Sequence, residues 1–258
     1  MKDDVLDLPP FVTQKIEVEF SKEQSRIYEE MRKDLVATLD TSEELYTFEH
    51  NNFLDIAEAE VMSADLAIVK TLRLMQIAAG IFTNEDGDVK EIKENRSKIL
   101  KELLEEITAN KENKVIVWSC FTPTYGVIEK VCEELGIKYT WLTGRQDKDE
   151  KQANVDQFNT DKDTQVIIAN QGAGGTGVNL TASNYSIYYS RSFNLEHDIQ
   201  SEARNYRGGQ NRKVTRIDLV TPDTIDAAIV EALAKKKEGA ENILEVKSLE
   251  REEILELI

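Results

Sequence analysis

Cysteine and histidine are scarce. The 258 residues contain only Cys120, Cys132, His50 and His197 of these two types. Two cysteines are too few for a disulfide scaffold and fit a reducing cytosol. No Cys/His cluster has metal-ligand spacing, which argues against a structural or catalytic zinc site. No apolar run approaches the length that spans a bilayer, and the acidic N-terminus (MKDDVLDLPP) has no apolar signal core. The expected location is therefore cytoplasmic, or the nucleoid or host interior, without secretion and without a membrane partner. Positive charge is also short: 32 Lys and Arg stand against 49 Asp and Glu, a net −17. That balance argues against a free-standing nucleic-acid binder held by bulk electrostatics, but a local basic strip on an acidic body is compatible with it. No Gly-Lys pair occurs anywhere, so the phosphate cradle G-x-x-x-x-G-K-[ST] is missing, and no acidic box for magnesium is visible.

What is present is enough apolar residue, 40%, to build the core of one large or two small domains. Residues 1–96 read as mainly helical after an initial strand. Leu8-Pro9-Pro10 is an extended connector. Ile16, Val18 and Phe20 alternate with charges as a half-buried strand does. Ser21 and Gln24 form a capping box for a helix through Leu39, Ser42 starts a more polar helix to about Glu60, and Gly80 ends another. Residues 84–88 read as a turn. From Ser97 the rhythm changes to helix and strand in alternation. Strands are expected at Val115–Trp118, Lys138–Leu142, Val166–Ala169, Ser186–Ser190 and Val214–Val220, with helices between them and Gly136 closing one. This pattern predicts an α/β fold with a parallel sheet covered by helices on both faces. The C-terminal part, from Thr224, reads as one or two brace helices, the last amphipathic and acidic. No internal repeat or low-complexity tract is visible.

The stretch from Val166 to Val220 carries the chemistry. An apolar run enters a glycine cluster at Gly172, Gly174, Gly175 and Gly177. Gln200, Arg204 and Arg207 follow at i, i+4 and i+7, which predicts one face of a helix. From Arg204 to Arg216 there are five basic residues and no acidic one. Guanidinium groups gathered in this way suit bidentate phosphate contact, and a solvated basic face is the plainer alternative. GAGGTG also satisfies the dinucleotide fingerprint G-x-G-x-x-G, with Glu196 and Asp198 about twenty positions on. The fingerprint must open a helix of several turns, and too few residues separate it from the next strand.

In order, these segments resemble the C-terminal RecA-like motor lobe of the Swi/Snf family, within the superfamily-two helicases. KVIVWSCF (Lys114 to Phe121) resembles motif IV. LTGRQDKDEKQANVDQF (Leu142 to Phe158) resembles the segment that follows it, and GAGGTGVNLTAS (Gly172 to Ser183) resembles motif V. SFN (Ser192 to Asn194) resembles the WNP element, and QSEARNYRGGQNRKV (Gln200 to Val214) resembles motif VI. Thr224-Ile225-Asp226, followed by Lys235 to Lys237, resembles the helix after it. The likeness is strong over about 97–245 and weak over 8–80. Ala203, Tyr206, Gly208, Phe193 and Lys151 depart from the family residues at their positions, which suggests a divergent member, viral or bacterial.

The resemblance implies half of an ATP-dependent double-stranded-DNA translocase or helicase-like motor, a hydrolase whose ATP and Mg2+ are held mainly by an absent N-terminal RecA-like lobe. The present sequence would be an excised piece or a naturally separate lobe. Residues 1–96 would form a linker strand and helical protrusion, and 97–258 the lobe with its C-terminal helices. Arg204 and Arg207 are implied to be arginine fingers for the γ-phosphate, with Gln200 orienting them. Gly175, Gly177 and Asn179 are implied to form the ATP-coupling loop. Backbone amides around Asn170, Gln171, Gly172, Ala173 and Gly174, together with Ser119, Phe121 and Thr143, stand at strand C-terminal ends. They are candidates for sequence-independent contact with DNA phosphates. Strand-end capping is the alternative for Ser119 and Thr143. A non-catalytic DNA- or protein-binding module derived from such a lobe is the alternative for the chain. The lone chain is expected to be inactive as an ATPase.

Overall fold

The computed structural model describes residues 8–47, 68–83, 89–173 and 177–240. Among these the chain divides into two compact units. One is built on Asn95–Val220 with the strand before Val18; the other takes Glu19–Glu94 and Thr221–Ile229.

The first unit is a six-stranded sheet. Its strands are β1 (Phe11–Glu17), β4 (Val115–Trp118), β5 (Lys138–Leu142), β6 (Thr164–Ala169), β7 (Tyr185–Tyr188) and β8 (Val214–Val220). Their spatial order is β1-β8-β7-β4-β6-β5, and every pairing is parallel. Because side chains alternate across a strand, the run VIVW of β4 feeds two cores. Val115 and Val117 pack with Leu100 and Leu104 of α3 (Arg96–Thr108) and Ile128 and Val131 of α4 (Thr124–Glu134). Ile116 and Trp118 pack with Val155 and Phe158 of α5 (Lys148–Thr160) and with Leu180 and Tyr188. Burial on both faces is why β4 and β6 carry unbroken apolar runs. The architecture is the RecA-like α/β fold expected from the rhythm after Ser97.

Local signals decide the helix ends. Gly136 takes a positive φ of 65°. Its N–H reaches the Glu133 carbonyl at 3.1 Å and that of Ile137 reaches the Cys132 carbonyl at 2.9 Å, a Schellman closure of α4. Asp147 caps α5 through the N–H groups of Asp149 and Glu150, both at 2.9 Å. Lys138 and Thr164 hold the Asp161 carboxyl well below the usual carboxylate range.

In the second unit the Ser21–Gln24 capping box forms, with Gln24 N–H to Ser21 Oγ at 3.1 Å and Ser21 N–H to Gln24 Oε1 at 3.2 Å. It opens α1 (Lys22–Thr47), which runs through Ser42 without a break. No Gly or Pro stands there to end it. The remainder of the helix expected to Glu60 lies outside the described residues, as do the turn at 84–88 and the tail from 241. The helix α2 is described over residues 68–78 and closes at Gly80, φ 86°. One further correction concerns strands. β2 (Ile81–Thr83) and β3 (Val89–Glu91) pair antiparallel on either side of the expected turn, where no strand was expected in a mainly helical region; three-residue strands are too short for an alternation pattern. β1 also begins at Phe11, upstream of the expected Ile16. Among the described residues no helix is long and apolar enough to cross a membrane.

Candidate functional site

The helix α6 (Leu195–Glu202) opens with the Asn194 side chain accepting the His197 N–H at 3.2 Å. It ends before either candidate arginine, so Gln200, Arg204 and Arg207 do not share a helix face. Two tertiary contacts and a glycine turn follow its end. The Arg204 carbonyl accepts the Leu180 N–H at 2.9 Å. The Asn205 amide donates to Ser186 Oγ at 3.1 Å. Gly209, at φ 96°, turns the chain. The Gln210 amide then donates to the carbonyls of Thr181 (3.2 Å), Ser183 (2.8 Å) and Asn205 (3.1 Å). The result is a loop, 203–210, stitched to the segment that follows the glycine cluster.

The loop still carries the two arginines within reach of each other's charge. Arg204 is buried and Arg207 exposed. Burial, and after it the charge of Arg207, pushes the Arg204 guanidinium below its ordinary pKa. Arg207 has no carboxylate partner among the described residues. Like charges held side by side gain most from an incoming anion. Gln200 stays on α6, half-buried, with its amide on Glu196 Oε1 at 2.6 Å. Of the coupling-loop candidates, Gly177 has φ 108°, a backbone that only glycine adopts freely. Exposed Asn179 accepts the Thr181 N–H at 3.0 Å. Gly174 and Gly175 lie outside the described residues.

The strand-end candidates form a bonded rim. Ser119 is fully buried, and its hydroxyl meets Thr124 Oγ1 at 2.6 Å and Ser190 Oγ at 2.7 Å. Thr143 Oγ1 donates to Gln146 Oε1 at 2.9 Å. Phe121 is buried. Gln171 is buried against Ser201 and Ser192. Asn170 donates to the Tyr125 hydroxyl at 2.9 Å and accepts the Gly172 N–H at 2.8 Å. The N–H groups of Asn170 and Ala173 reach the carbonyls of Leu142 (3.0 Å) and Asn170 (3.1 Å). The N–H groups of Asn170, Gly172 and Ala173 therefore have partners within the chain. The Ser119 and Thr143 hydroxyls also accept the Phe121 and Arg145 N–H groups, at 3.4 and 3.3 Å. Gly172 is exposed, and a Cβ there would sit 3.1 Å from His197 Cε1.

Sequence reasoning missed a charge cluster beside the loop. Arg191, Asp198, Arg216 and Asp218 are each at most 7% exposed in their side chains. Arg216 pairs with Asp198 (2.8 Å), Glu202 (2.9 Å) and Asp218 (3.0 Å). Arg191 pairs with Asp218 and stands 3.7 Å from Asp198. Lys237 of α7 (Ile225–Ala240) reaches Glu202 at 2.9 Å. Two guanidinium groups lie over the Tyr188 ring, Arg216 at 4.2 Å and Arg191 at 4.8 Å from its centre. Burial opposes the charge of Arg216, but Tyr188, Asp218 and Asp198 outweigh it and raise its pKa. One signal was available: Arg216 and Asp218 alternate inside a strand whose other residues, VT, I and LV, carry no charge. Among the described residues no cluster of His, Cys, Asp and Glu could hold a metal.

Residues 95–209 match the helicase conserved C-terminal domain. The chain is thus a C-terminal RecA-like lobe of helicase-type ATPases. Over 138 residues it is 37% identical to the ATP-dependent helicase FUN30 of Saccharomyces cerevisiae, covering 54% of this chain and 12% of that protein. The crystal structure of the C-terminal part of the Fun30 ATPase domain superposes with a TM-score of 0.73 at 22% identity, over 97% of this chain and 96% of that one. The Sulfolobus solfataricus SWI2/SNF2 ATPase core in complex with double-stranded DNA gives 0.69 at 21% identity, over 95% of this chain and 48% of that one. With motifs IV, V and VI in order, residues 95–209 are a helicase C-terminal domain of the Swi/Snf type. It spans about an eighth of its FUN30 relative. These relatives lend no support to a viral or bacterial source.

Proposed function

We propose that this chain is the second motor lobe of an ATP-dependent translocase on double-stranded DNA. The observation that carries the reading is the loop 203–210: it carries buried Arg204 and exposed Arg207 within reach of each other's charge and is bonded, through the Arg204 carbonyl, to the Leu180 N–H beyond the glycine cluster. The paired cations fit the terminal phosphate of an ATP held, with Mg2+, mainly by an N-terminal RecA-like lobe. Charge builds on that phosphate during transfer, and an arginine that neutralises it is worth about 10³–10⁵ in rate. Gln200 orients the pair. Gly175, Gly177 and Asn179 link the nucleotide state to the grip on DNA, because the segment they lead into is the one stitched to the arginine loop.

The DNA contact is the rim at the strand C-terminal ends. Gly172, Ala173 and Gly174, with Asn170 and Gln171, meet phosphates without reading sequence. Ser119, Phe121 and Thr143 belong to the same phosphate-contacting set and are tied into the rim by their hydrogen bonds. That a Swi/Snf core of the same fold is found with double-stranded DNA supports this choice of polymer. The division near residue 96, into linker strand with helical segment and lobe proper, belongs to the same proposal.

Alone, the chain hydrolyses no ATP above an Arg204→Ala/Arg207→Ala control. DNA-stimulated hydrolysis appears when the N-terminal lobe is added and disappears with Arg207→Ala. Association of the lobes without turnover would make the chain a binding module instead.

A further inference from the structure

We infer that Arg216 is a positioning residue for the arginine pair: by clamping the end of α6 to β8, it sets where the loop carrying Arg204 and Arg207 leaves the helix. The inference rests on the function proposed above for that pair.

Arg216 bonds two elements through every arm of its guanidinium. Nη1 and Nη2 hold the two Asp198 oxygens at 3.1 and 2.8 Å, and Nη1 also holds Glu202 at 2.9 Å. Both acids lie on α6. Nε holds Asp218 on β8 itself at 3.0 Å. Glu202 is the last residue of α6, and its carbonyl accepts the Tyr206 N–H at 3.2 Å inside the loop. The clamp thus acts on the residue from which the loop departs. Lys237 grips the same Glu202 carboxylate from α7.

Stability alone is a poor reason for such a cluster. Taking charges out of water opposes the gain from pairing them, and well-packed apolar residues often do as well. Three cations (Arg191, Arg216, Lys237) against three anions (Asp198, Glu202, Asp218) form instead a directional lock. A planar fork with fixed donor angles accepts only one helix rotation. A helix held by apolar packing alone could rotate or slide, and two arginines that must meet one phosphate would lose their common aim. A misplacement near 1 Å costs about 100-fold in such chemistry.

The test compares amide exchange and turnover. Arg216→Met alone strands buried carboxylates and can unfold the protein, so it is paired with Asp198→Asn, which removes one charge of each sign. The comparison variant is Leu104→Ala, which weakens the core away from the loop. In the double variant we expect the Leu180, Tyr206 and Gln210 amides to exchange at least about tenfold faster than can be explained by any change at Val117 in β4, whereas Leu104→Ala moves all four together. Exchange that rises only in proportion to global unfolding would overturn the inference. In the motor assembled with its N-terminal lobe, the double variant lowers kcat about 10-fold or more and leaves KM for ATP within about twofold. A loosened loop with unchanged kcat would also overturn it, provided Arg207→Ala is inactive. If Arg207→Ala keeps full turnover, the proposed function fails, and the exchange data decide the clamp by themselves.

Discussion

Arg207 and Arg216 lie nine positions apart in one basic stretch and have opposite surroundings. Arg207 is exposed, beside another arginine and without a carboxylate among the described residues. Arg216 is buried and bonded to three carboxylates. Arg212 falls with Arg216: its guanidinium donates to the carbonyls of Glu112 and Ala182. A basic run in sequence is therefore two populations in space. Cations with satisfied donors hold backbone; a cation left facing solvent beside a like charge is the one suited to an incoming phosphate. The same residue type does both because its surroundings, not its sequence neighbours, complete its hydrogen bonds.

The contrast can be broken most sharply at Arg207. Arg207→Ala should cost the assembled motor about 10³-fold or more in turnover, while the unfolding free energy of the lone chain stays within about 0.5 kcal/mol of the parent, as an exposed site predicts. Urea denaturation and steady-state kinetics on the same preparation check both halves. Arg216→Met should invert the balance for the fold: removing one member of a buried ion network costs about 3–5 kcal/mol, read as a lower urea midpoint. Arg212→Ala should cost less, about 1–3 kcal/mol, because it leaves two carbonyls short of a donor without stranding a charge.

The smallest effect concerns Cys132. Burial pushes its thiol up to about 12, whereas the unfolded thiol titrates near about 8.5. The folded pKa is the raised one. Its contribution to stability is therefore complete below about 8.5 and is lost as pH rises from there towards 12. Urea midpoints taken on the alkaline side should fall less steeply for Cys132→Ala than for the parent. At neutral pH a thiol reagent should modify half-buried Cys120 well before Cys132.

The fold was legible where the sequence pattern was long and locally enforced. β4, β5 and β8 occupy the expected residues because an unbroken apolar run between helices has few other places to go. Gly136 and the Ser21–Gln24 box closed and opened their helices as such residues do. The hairpin β2–β3 was invisible because three-residue strands carry no period. The arginine pair was legible as a pair, through its motif, but its setting was not. An i, i+4, i+7 spacing promises a helix face only if the backbone stays helical. Here Leu180 takes the Arg204 carbonyl, and Asn205 and Gln210 bond across to the neighbouring segment. Each of those contacts comes from residues distant in sequence, which no local rule weighs. The charge cluster was hidden for the same reason: Arg191, Asp198, Arg216 and Asp218 become one feature only after β7, α6 and β8 are side by side.

The most direct measurement is the affinity between this chain and its N-terminal lobe on DNA, with ADP alone and with ADP plus aluminium fluoride, which mimics the charged phosphoryl-transfer state. The account predicts that the mimic tightens the parent complex by about 100-fold or more, as transition-state analogues do, and that Arg207→Ala abolishes the tightening without changing affinity in ADP. Equal tightening in parent and variant would contradict it, because the charge of the reacting phosphate would then be met by groups other than this arginine.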